Sequence, residues 1–294
     1  MKKKLFILAF LLFLGAVLFI SRPGNLERAE KQPGGLLEKI KTLAPQEEEK
    51  KEVDLSLLKE PLEREVAAYS GEVAVAVTDL KTGQNISING EKDYFPASSI
   101  KILILARCLK DVEDGKYKRS QVDSLLSSMM SVSSNYAANT LMVRIGLEKL
   151  SKFPEEIGMK STVFIHGFSD GDPNVPRVRF GANNLAANDA NLFWQELFEG
   201  KILGEEMRKK MLEYAKLPKV KLIYAPEEAA VYHKPGYIGS VDAETYIDAG
   251  VVETERFSYV VSFFSRNNPT HQAGADFGQK VTKVIYEWFA QSYQ

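Results

Sequence analysis

A serine and a lysine three residues apart, Ser98 and Lys101, are the residues of this 294-residue chain best suited to nucleophilic catalysis. They open an apolar run, Ile102–Leu109, that is long enough to form a buried helix. Residues three apart share one face of a helix, so the hydroxyl and the amine are expected to meet. Burial lowers the pKa of a lysine, and a neutral amine can accept the proton of a serine nucleophile. The pair therefore predicts an activated serine.

The spacing alone also fits a structural interpretation. Ser98 would then cap a core helix, while Lys101 extends to solvent. The chain contains a second pair with the same spacing, Ser56 and Lys59, in its first predicted helix. Two further elements that follow Ser98 along the chain decide between these interpretations.

The first of these elements is Ser133-Ser134-Asn135, in a segment with a helical pattern. The second is Lys234-Pro235-Gly236-Tyr237, on a late strand. With Ser98 and Lys101, they resemble the motifs of class A β-lactamases and penicillin-binding proteins, which are Ser-x-x-Lys, Ser-Asp-Asn and Lys-Thr-Gly. A literal Lys-Thr-Gly at Lys81–Gly83 precedes Ser98 and lies in a turn, so its order is wrong. The resemblance extends from about residue 55 to the C-terminus.

The resemblance implies a serine hydrolase that forms an acyl-enzyme with β-lactam or D-Ala-D-Ala-type amides. The first serine would attack, the first lysine would take its proton, and the second serine would pass a proton to the leaving nitrogen. Backbone N–H groups of the nucleophile and of the third motif would hold the oxyanion. The catalytic candidates are Ser98, Lys101, Ser133 and Lys234, and the substrate-binding candidates are Asn135, Gly236 and Tyr237.

Two departures from the family pattern bear on turnover and affinity. The family loop with Arg, an aromatic residue and a deacylating glutamate corresponds in the sequence to Arg179-Phe180-Gly181, so glycine stands in place of the acid. Asp170 and Asp172 lie in the same loop, where solvation is the simpler explanation for them. Deacylation is therefore expected to be slow. Pro235 replaces the threonine of the third motif. A proline at this position is compatible only with an edge strand or a bulge.

The histidines and the single cysteine suggest no further chemistry. His233 is expected to be a solvated or hydrogen-bonded structural residue, and His166 and His271 are isolated. Because the Cys/His/Asp spacing of a metal site is missing, neither a metal nor another cofactor is expected. Cys108 lies in the predicted buried helix and is expected to be a core residue.

The order of predicted elements favours an α+β fold. An antiparallel five-stranded sheet would be built from both ends of the chain and flanked by the N- and C-terminal helices, with an all-helical subdomain at about 110–220. The predicted strands are 72–78, 84–88, 229–233, 244–252 and 257–264, and the predicted helical regions are 55–70, 120–217 with a loop at 169–184, and 275–291.

The N-terminus predicts export. Three lysines precede an apolar run at 5–20, so 1–24 is a signal-anchor or a signal peptide, with the anchor favoured. Residues 25–54 are charged and rich in Pro and Gly, as in a flexible tether, and 55–294 form the hydrolase domain. The domain is expected outside the cytoplasm, held by 5–20 or secreted if that segment is cleaved.

The formal net charge of −1 argues against a nucleic-acid partner. The expected partners are an amide substrate and the membrane, and the expected state is a monomer. The alternative function is a non-catalytic module that binds or senses cell-wall peptide or β-lactams.

Overall fold

The computed structural model describes residues 53–169, 175–239 and 244–294, apart from the side chain of His271. The predicted anchor, the tether up to residue 52, and both Asp170 and Asp172 lie outside the described residues. In the described ranges, no helix has the length and apolar character needed to cross a bilayer.

Helices make up the middle of the described chain and both of its ends. A short 3₁₀ helix, Leu55–Leu58, leads into the first α-helix, and a second one, Arg119–Gln121, precedes the third. The α-helices of the described residues are α1 (Lys59–Ala67), α2 (Lys101–Glu113), α3 (Asp123–Ser131), α4 (Asn135–Ile145), α5 (Leu147–Glu156), α6 (Ala187–Phe198), α7 (Glu205–Ala215) and α8 (His271–Ser292).

The strands form one main sheet and one short ribbon. They are β1 (Glu72–Asp79), β2 (Asn85–Ile88), β3 (Asp93–Tyr94), β4 (Leu185–Ala186), β5 (Ala230–Ile238), β6 (Thr245–Glu253) and β7 (Ser258–Arg266). The main sheet of the described residues has the order β2-β1-β7-β6-β5, and every neighbouring pair is antiparallel. The predicted α+β fold, with its five-stranded antiparallel sheet drawn from both ends of the chain, is confirmed.

The main sheet is buried on both faces. On β1, Ala74 and Ala76 face a core shared with the helical block, whereas Val73, Val75 and Val77 face a core shared with α1 and α8. Successive side chains of a strand point to opposite faces, so a strand covered on both sides is apolar throughout. The sheet is therefore a rigid support between two helical layers.

Strand β5 contains three residues of the third motif, Lys234, Pro235 and Gly236. It continues to Ile238, beyond the predicted end at residue 233. In the part of the chain that the structure describes, it lies at the edge of the sheet. Proline cannot donate to a ladder but is tolerated on an edge strand, as the sequence predicted for Pro235.

Candidate active site

Ser98 lies in a tight turn just before α2. Ala97 adopts a φ of 47°, which is uncommon for a residue other than glycine. The backbone N–H of Lys101 donates to the carbonyl oxygen of Ser98 at 3.2 Å, so the turn runs directly into the helix. The prediction that Ser98 begins the helix is wrong, because α2 begins at Lys101. The turn nevertheless brings Ser98 beside Lys101.

Oxygen atoms enclose the side-chain nitrogen of Lys101, and the residue is fully buried. Its Nζ lies 3.1 Å from Ser98 Oγ. It donates to the carbonyl oxygen of Ser133 at 2.5 Å and to Asn135 Oδ1 at 2.6 Å. The hydroxyl of Ser133 lies 3.3 Å away. Three other predicted site residues therefore contact the side-chain nitrogen of Lys101. They are Ser98, Ser133 and Asn135.

This arrangement suits proton transfer from Ser98 to Lys101. The Ser133 carbonyl and Asn135 Oδ1 can only accept hydrogen bonds. A neutral amine that donates its two N–H groups to these oxygens leaves its lone pair for the two neighbouring hydroxyls, of which Ser98 Oγ at 3.1 Å is nearer than Ser133 Oγ at 3.3 Å. The nucleophile and its base are then within hydrogen-bond reach.

The turn between α3 and α4 positions Ser133. Its φ is 58°, another left-handed conformation of a residue other than glycine. Ser134, and not Ser133, caps α4, since its Oγ accepts from the backbone N–H of Ala137 at 3.1 Å. The Ser133 hydroxyl is thus left to face the two lysines. Conformations of this kind concentrate at functional sites.

Lys234 approaches Ser133 from β5. Its Nζ donates to Ser133 Oγ at 3.2 Å and to the carbonyl oxygen of Pro235 at 3.0 Å. Burial lowers the pKa of Lys234 from 10.5 to about 8, while the negative charge of Asp248 acts in the opposite direction. Lys234 is therefore easier to deprotonate than an exposed lysine.

The Asp248 carboxylate is within hydrogen-bond distance of three groups, which are the His233 ring and two backbone N–H groups. Its Oδ1 lies 2.8 Å from His233 Nδ1, and its Oδ2 accepts from the backbone N–H of Leu222 at 2.8 Å. The backbone N–H of Ile223 reaches the same Oδ2 at 3.4 Å. Both Asp248 and His233 are buried. The prediction that His233 is a hydrogen-bonded structural residue is confirmed, although its partner was not foreseen.

Gly236 allows β5 to approach the nucleophile turn. A Cβ atom at this position would lie 2.6 Å from Ser99 N, 2.7 Å from Pro96 O and 3.0 Å from Ser98 N. Only glycine fits this approach without a shift of backbone. Tyr237, the next residue, borders both cavities described below.

Two cavities meet at Ser98. The first has a volume of about 610 Å³ and is bordered by Asn135, Phe168 and Gly181. The second has a volume of about 520 Å³ and is bordered by Ser133 and Lys234. The site therefore offers separate spaces on the two sides of the nucleophile.

Phe168 borders the first cavity and lies against the side-chain nitrogen of Lys101. The Lys101 nitrogen is 4.5 Å from the centre of the Phe168 ring. Asn139 fixes the backbone at this residue, accepting from Phe168 N at 2.9 Å and donating to Phe168 O at 2.7 Å. Of the described residues that border the first cavity, none is an aspartate or a glutamate.

The sequence prediction placed the missing acid at Gly181, which stays a prediction, and in the structure both Gly181 and Phe168 border the first cavity. A Cβ atom at Gly181 would meet Ile165 Cδ1 at 3.0 Å, whereas Phe168 contacts Lys101 directly.

Sequence reasoning also missed Asn139 and Asp248. Asn139 follows Asn135 by four residues on α4, so helical spacing could have placed both on one face. Asp248 lies in an otherwise apolar strand, where a charged residue signals a paired, buried group.

Comparison with known proteins places this site in a family. A model of the β-lactamase enzyme family matches residues 57–122 and 118–289. The chain therefore belongs to that family and is a serine hydrolase of the β-lactamase type. No curated protein sequence matches the chain.

Solved structures share the fold at low sequence identity. A β-lactamase from Sphaerobacter thermophilus is 20% identical, covers 79% of this chain and 96% of its own, and has a TM-score of 0.67. PBP-A is 19% identical over 81% of this chain and 97% of its own, with a TM-score of 0.69. A β-lactamase from Chitinophaga pinensis is 17% identical over 80% and 99%, with a TM-score of 0.70. At these identities, the likeness establishes the fold alone.

Proposed function

We propose that this protein is an exported serine hydrolase that is acylated at Ser98 by β-lactams or D-Ala-D-Ala-type amides and deacylates slowly. The observation that carries the proposal is the convergence of Ser98 Oγ and Ser133 Oγ on Lys101 Nζ, at 3.1 and 3.3 Å. Asn135 would bind the amide of the substrate's acyl half. Gly236 and Tyr237 would bring β5 against the reacting carbonyl.

In acylation, these contacts would carry a proton from Ser98 through Lys101 to Ser133, which passes a proton to the leaving nitrogen. Lys101 takes the proton of Ser98 while Oγ bonds to the substrate carbonyl carbon, and the backbone N–H groups of Ser98 and Tyr237 stabilise the oxyanion. As the carbon–nitrogen bond breaks, the Ser133 hydroxyl gives its proton to the leaving nitrogen. Ser133 then regains a proton from Lys101. Lys234, in its charged form, donates to Ser133 Oγ during these steps.

Slow deacylation follows from the position of Phe168. Hydrolysis of the ester at Ser98 requires a water molecule and a base that removes a proton from this water. Such a base typically raises the reaction rate by about 10²–10⁴-fold. An aromatic ring beside Lys101 cannot accept that proton. The acyl-enzyme should therefore accumulate during turnover.

The decisive test is labelling of the full chain with a fluorescent penicillin, with adduct mass followed over time by intact-mass spectrometry. Wild type should gain one adduct and lose it slowly, while Ser98→Ala should gain none. Ser56→Ala is the matched control, because Ser56 has the same spacing to a lysine but lies before α1. The absence of an adduct on wild type would contradict the proposal.

Export to the outer face of the cell membrane, with 5–20 as the anchor, is part of the same proposal. It is supported by the three lysines and the apolar run that follows them. The full chain should sediment with membranes, and a chain lacking 1–24 should remain in the supernatant. Sedimentation of both forms would argue against the anchor.

A second candidate, a non-catalytic module that traps β-lactams or binds cell-wall peptide, is favoured by the same ring at Phe168. Equal muropeptide binding by wild type and Ser98→Ala, with no product released, would support it. Product release that depends on Ser98 would exclude it.

A further inference from the structure

The second cavity is an apolar groove that begins at Ser98. It passes between the end of α3, the segment 218–222 and the start of α8. Most of its lining side chains are apolar, and these include Met130, Val132, Pro218, Val220, Leu222 and Tyr246. Among the described residues that border it, the charged ones are Lys219 and Lys234, both positive.

Two valines at this groove are unusually exposed. Val132 is 73% exposed and Val220 is 71% exposed, and they come from separate parts of the chain. Single exposed apolar residues are ordinary on protein surfaces, but apolar residues gathered at a cavity beside reactive groups mark a ligand site. The valines therefore offer contact area to a ligand.

The proton path identifies which half of a substrate enters this groove. The leaving nitrogen must lie against the group that gives it a proton, which is the hydroxyl of Ser133. Ser133 borders the groove, whereas Asn135 borders the other cavity. The leaving half therefore extends along the groove, and the acyl half lies on the Asn135 side.

Pro235 adds to the apolar character of the groove. It borders the same cavity and, unlike the threonine of the third motif, has no hydroxyl to offer a ligand. The two lysines still provide positive charge for an anionic group. The lining thus suits a leaving half with a carboxylate and an apolar body.

We infer that the groove is a specificity site for amides and lactams whose leaving half carries a bulky aromatic or branched apolar substituent. This inference rests on the proposed function and specifies its substrate class. Because Val132 and Val220 border the second cavity and not the first, they would affect the choice between leaving halves and take no part in the proton path.

Two cephalosporins with the same acyl half test this inference. Cephalothin and nitrocefin share a thienylacetyl side chain, but the leaving half carries an acetoxymethyl group in cephalothin and a dinitrostyryl group in nitrocefin. The second-order rate constant of acylation is measured for both with the full chain. The ratio of nitrocefin to cephalothin is then compared between variants, which cancels the intrinsic reactivity of each compound.

Val132→Ser and Val220→Ser should each lower this ratio about five-fold. A fully buried apolar contact of this size changes the preference between two substrates by roughly ten-fold or more, and these valines are partly exposed. Val143→Ser is the control, since Val143 is 69% exposed on α4 and borders neither cavity. The three positions are exposed, so the melting temperatures of the variants should match that of wild type.

An unchanged ratio in both groove variants, with acylation intact, would overturn the inference and leave the proposed function standing. A lack of acylation of wild type by either compound would refute both. The two outcomes are therefore distinguishable in one set of measurements.

Discussion

The side-chain nitrogen of Lys101 contacts oxygen atoms of Ser98, Ser133 and Asn135 and also lies 4.5 Å from the centre of the Phe168 ring. In the proposed function, the oxygens favour acylation, because two of them accept the N–H groups of a neutral amine and leave its lone pair available to Ser98. In the proposed function, the ring slows deacylation, because an aromatic side chain beside Lys101 cannot take a proton from water. Lys101 therefore contacts both the serine proposed to be acylated and the ring proposed to slow deacylation.

Replacement of Phe168 by glutamate should raise the deacylation rate constant by about 100-fold, since a carboxylate beside Lys101 could act as a general base. The measurement is the decay of the benzylpenicillin adduct by intact-mass spectrometry. Phe168→Gln is the control, because it removes the ring and adds polar atoms without a base. Equal decay in both variants would show that the ring, and not the missing base, limits deacylation.

At the level of elements, β5 connects the site to a buried charge. Lys234 faces the helical side of the sheet, while His233 points to the other side and contacts Asp248 on β6. Asp248 also binds the backbone at Leu222, within the segment that borders the apolar groove. A single carboxylate therefore influences both the charge of Lys234 and the groove wall.

Asp248→Asn should move the alkaline limit of acylation to lower pH by about one unit, because an opposite charge favours the protonated lysine. In wild type, the acylation rate constant should decline above about pH 8, where Lys234 loses its proton. Removal of the Asp248 charge lowers the pKa of Lys234 further, so the decline begins earlier. The readout is the pH dependence of the nitrocefin acylation rate constant.

The asparagine variant keeps the shape of the site. Its amide oxygen can still accept from Leu222 N, and His233 can accept from its amide group in the other tautomer. His233→Gln serves as the companion variant, because it changes the partner of Asp248 and keeps the charge. A pH profile for Asp248→Asn identical to that of wild type would rule out the proposed influence on Lys234.

At the scale of the whole molecule, Val53–Gln294 forms a compact unit with a core on each face of its sheet. Its first residues are attached to the hairpin of β1 and β2. Leu55 N donates to Gln84 Oε1 at 2.8 Å, and Gln84 Nε2 donates to the carbonyl oxygen of Val53 at 2.8 Å. The predicted domain start at residue 55 lies close to this attachment.

A chain of 53–294 should fold alone and become acylated at the rate of the full protein, because these contacts and both cores remain. A chain of 80–294 is the control, since it lacks β1, which pairs with β2 and β7. This shorter chain should not show a cooperative transition. Thermal unfolding by circular dichroism and fluorescent penicillin labelling check both expectations, and failure of the 53–294 chain to fold would contradict the domain assignment.

The sequence by itself determined the fold class and the residues that meet at Lys101. Alternation along the strands and spacing along the helices report which face of its own element a residue occupies, and that information is local. The order of Ser98, Ser133 and Lys234 then limited the arrangement of the elements.

Only the tertiary structure decided the position of Phe168 against Lys101 and the pairing of Asp248 with His233. These contacts join residues from different elements, and they depend on the path of a loop and the register of two strands. Neither leaves a periodic signal, since a loop has no repeating geometry and the strand pattern does not specify its neighbour. For this reason the sequence identified the residues proposed to carry acylation, whereas the contact of Phe168 with Lys101 required the folded chain.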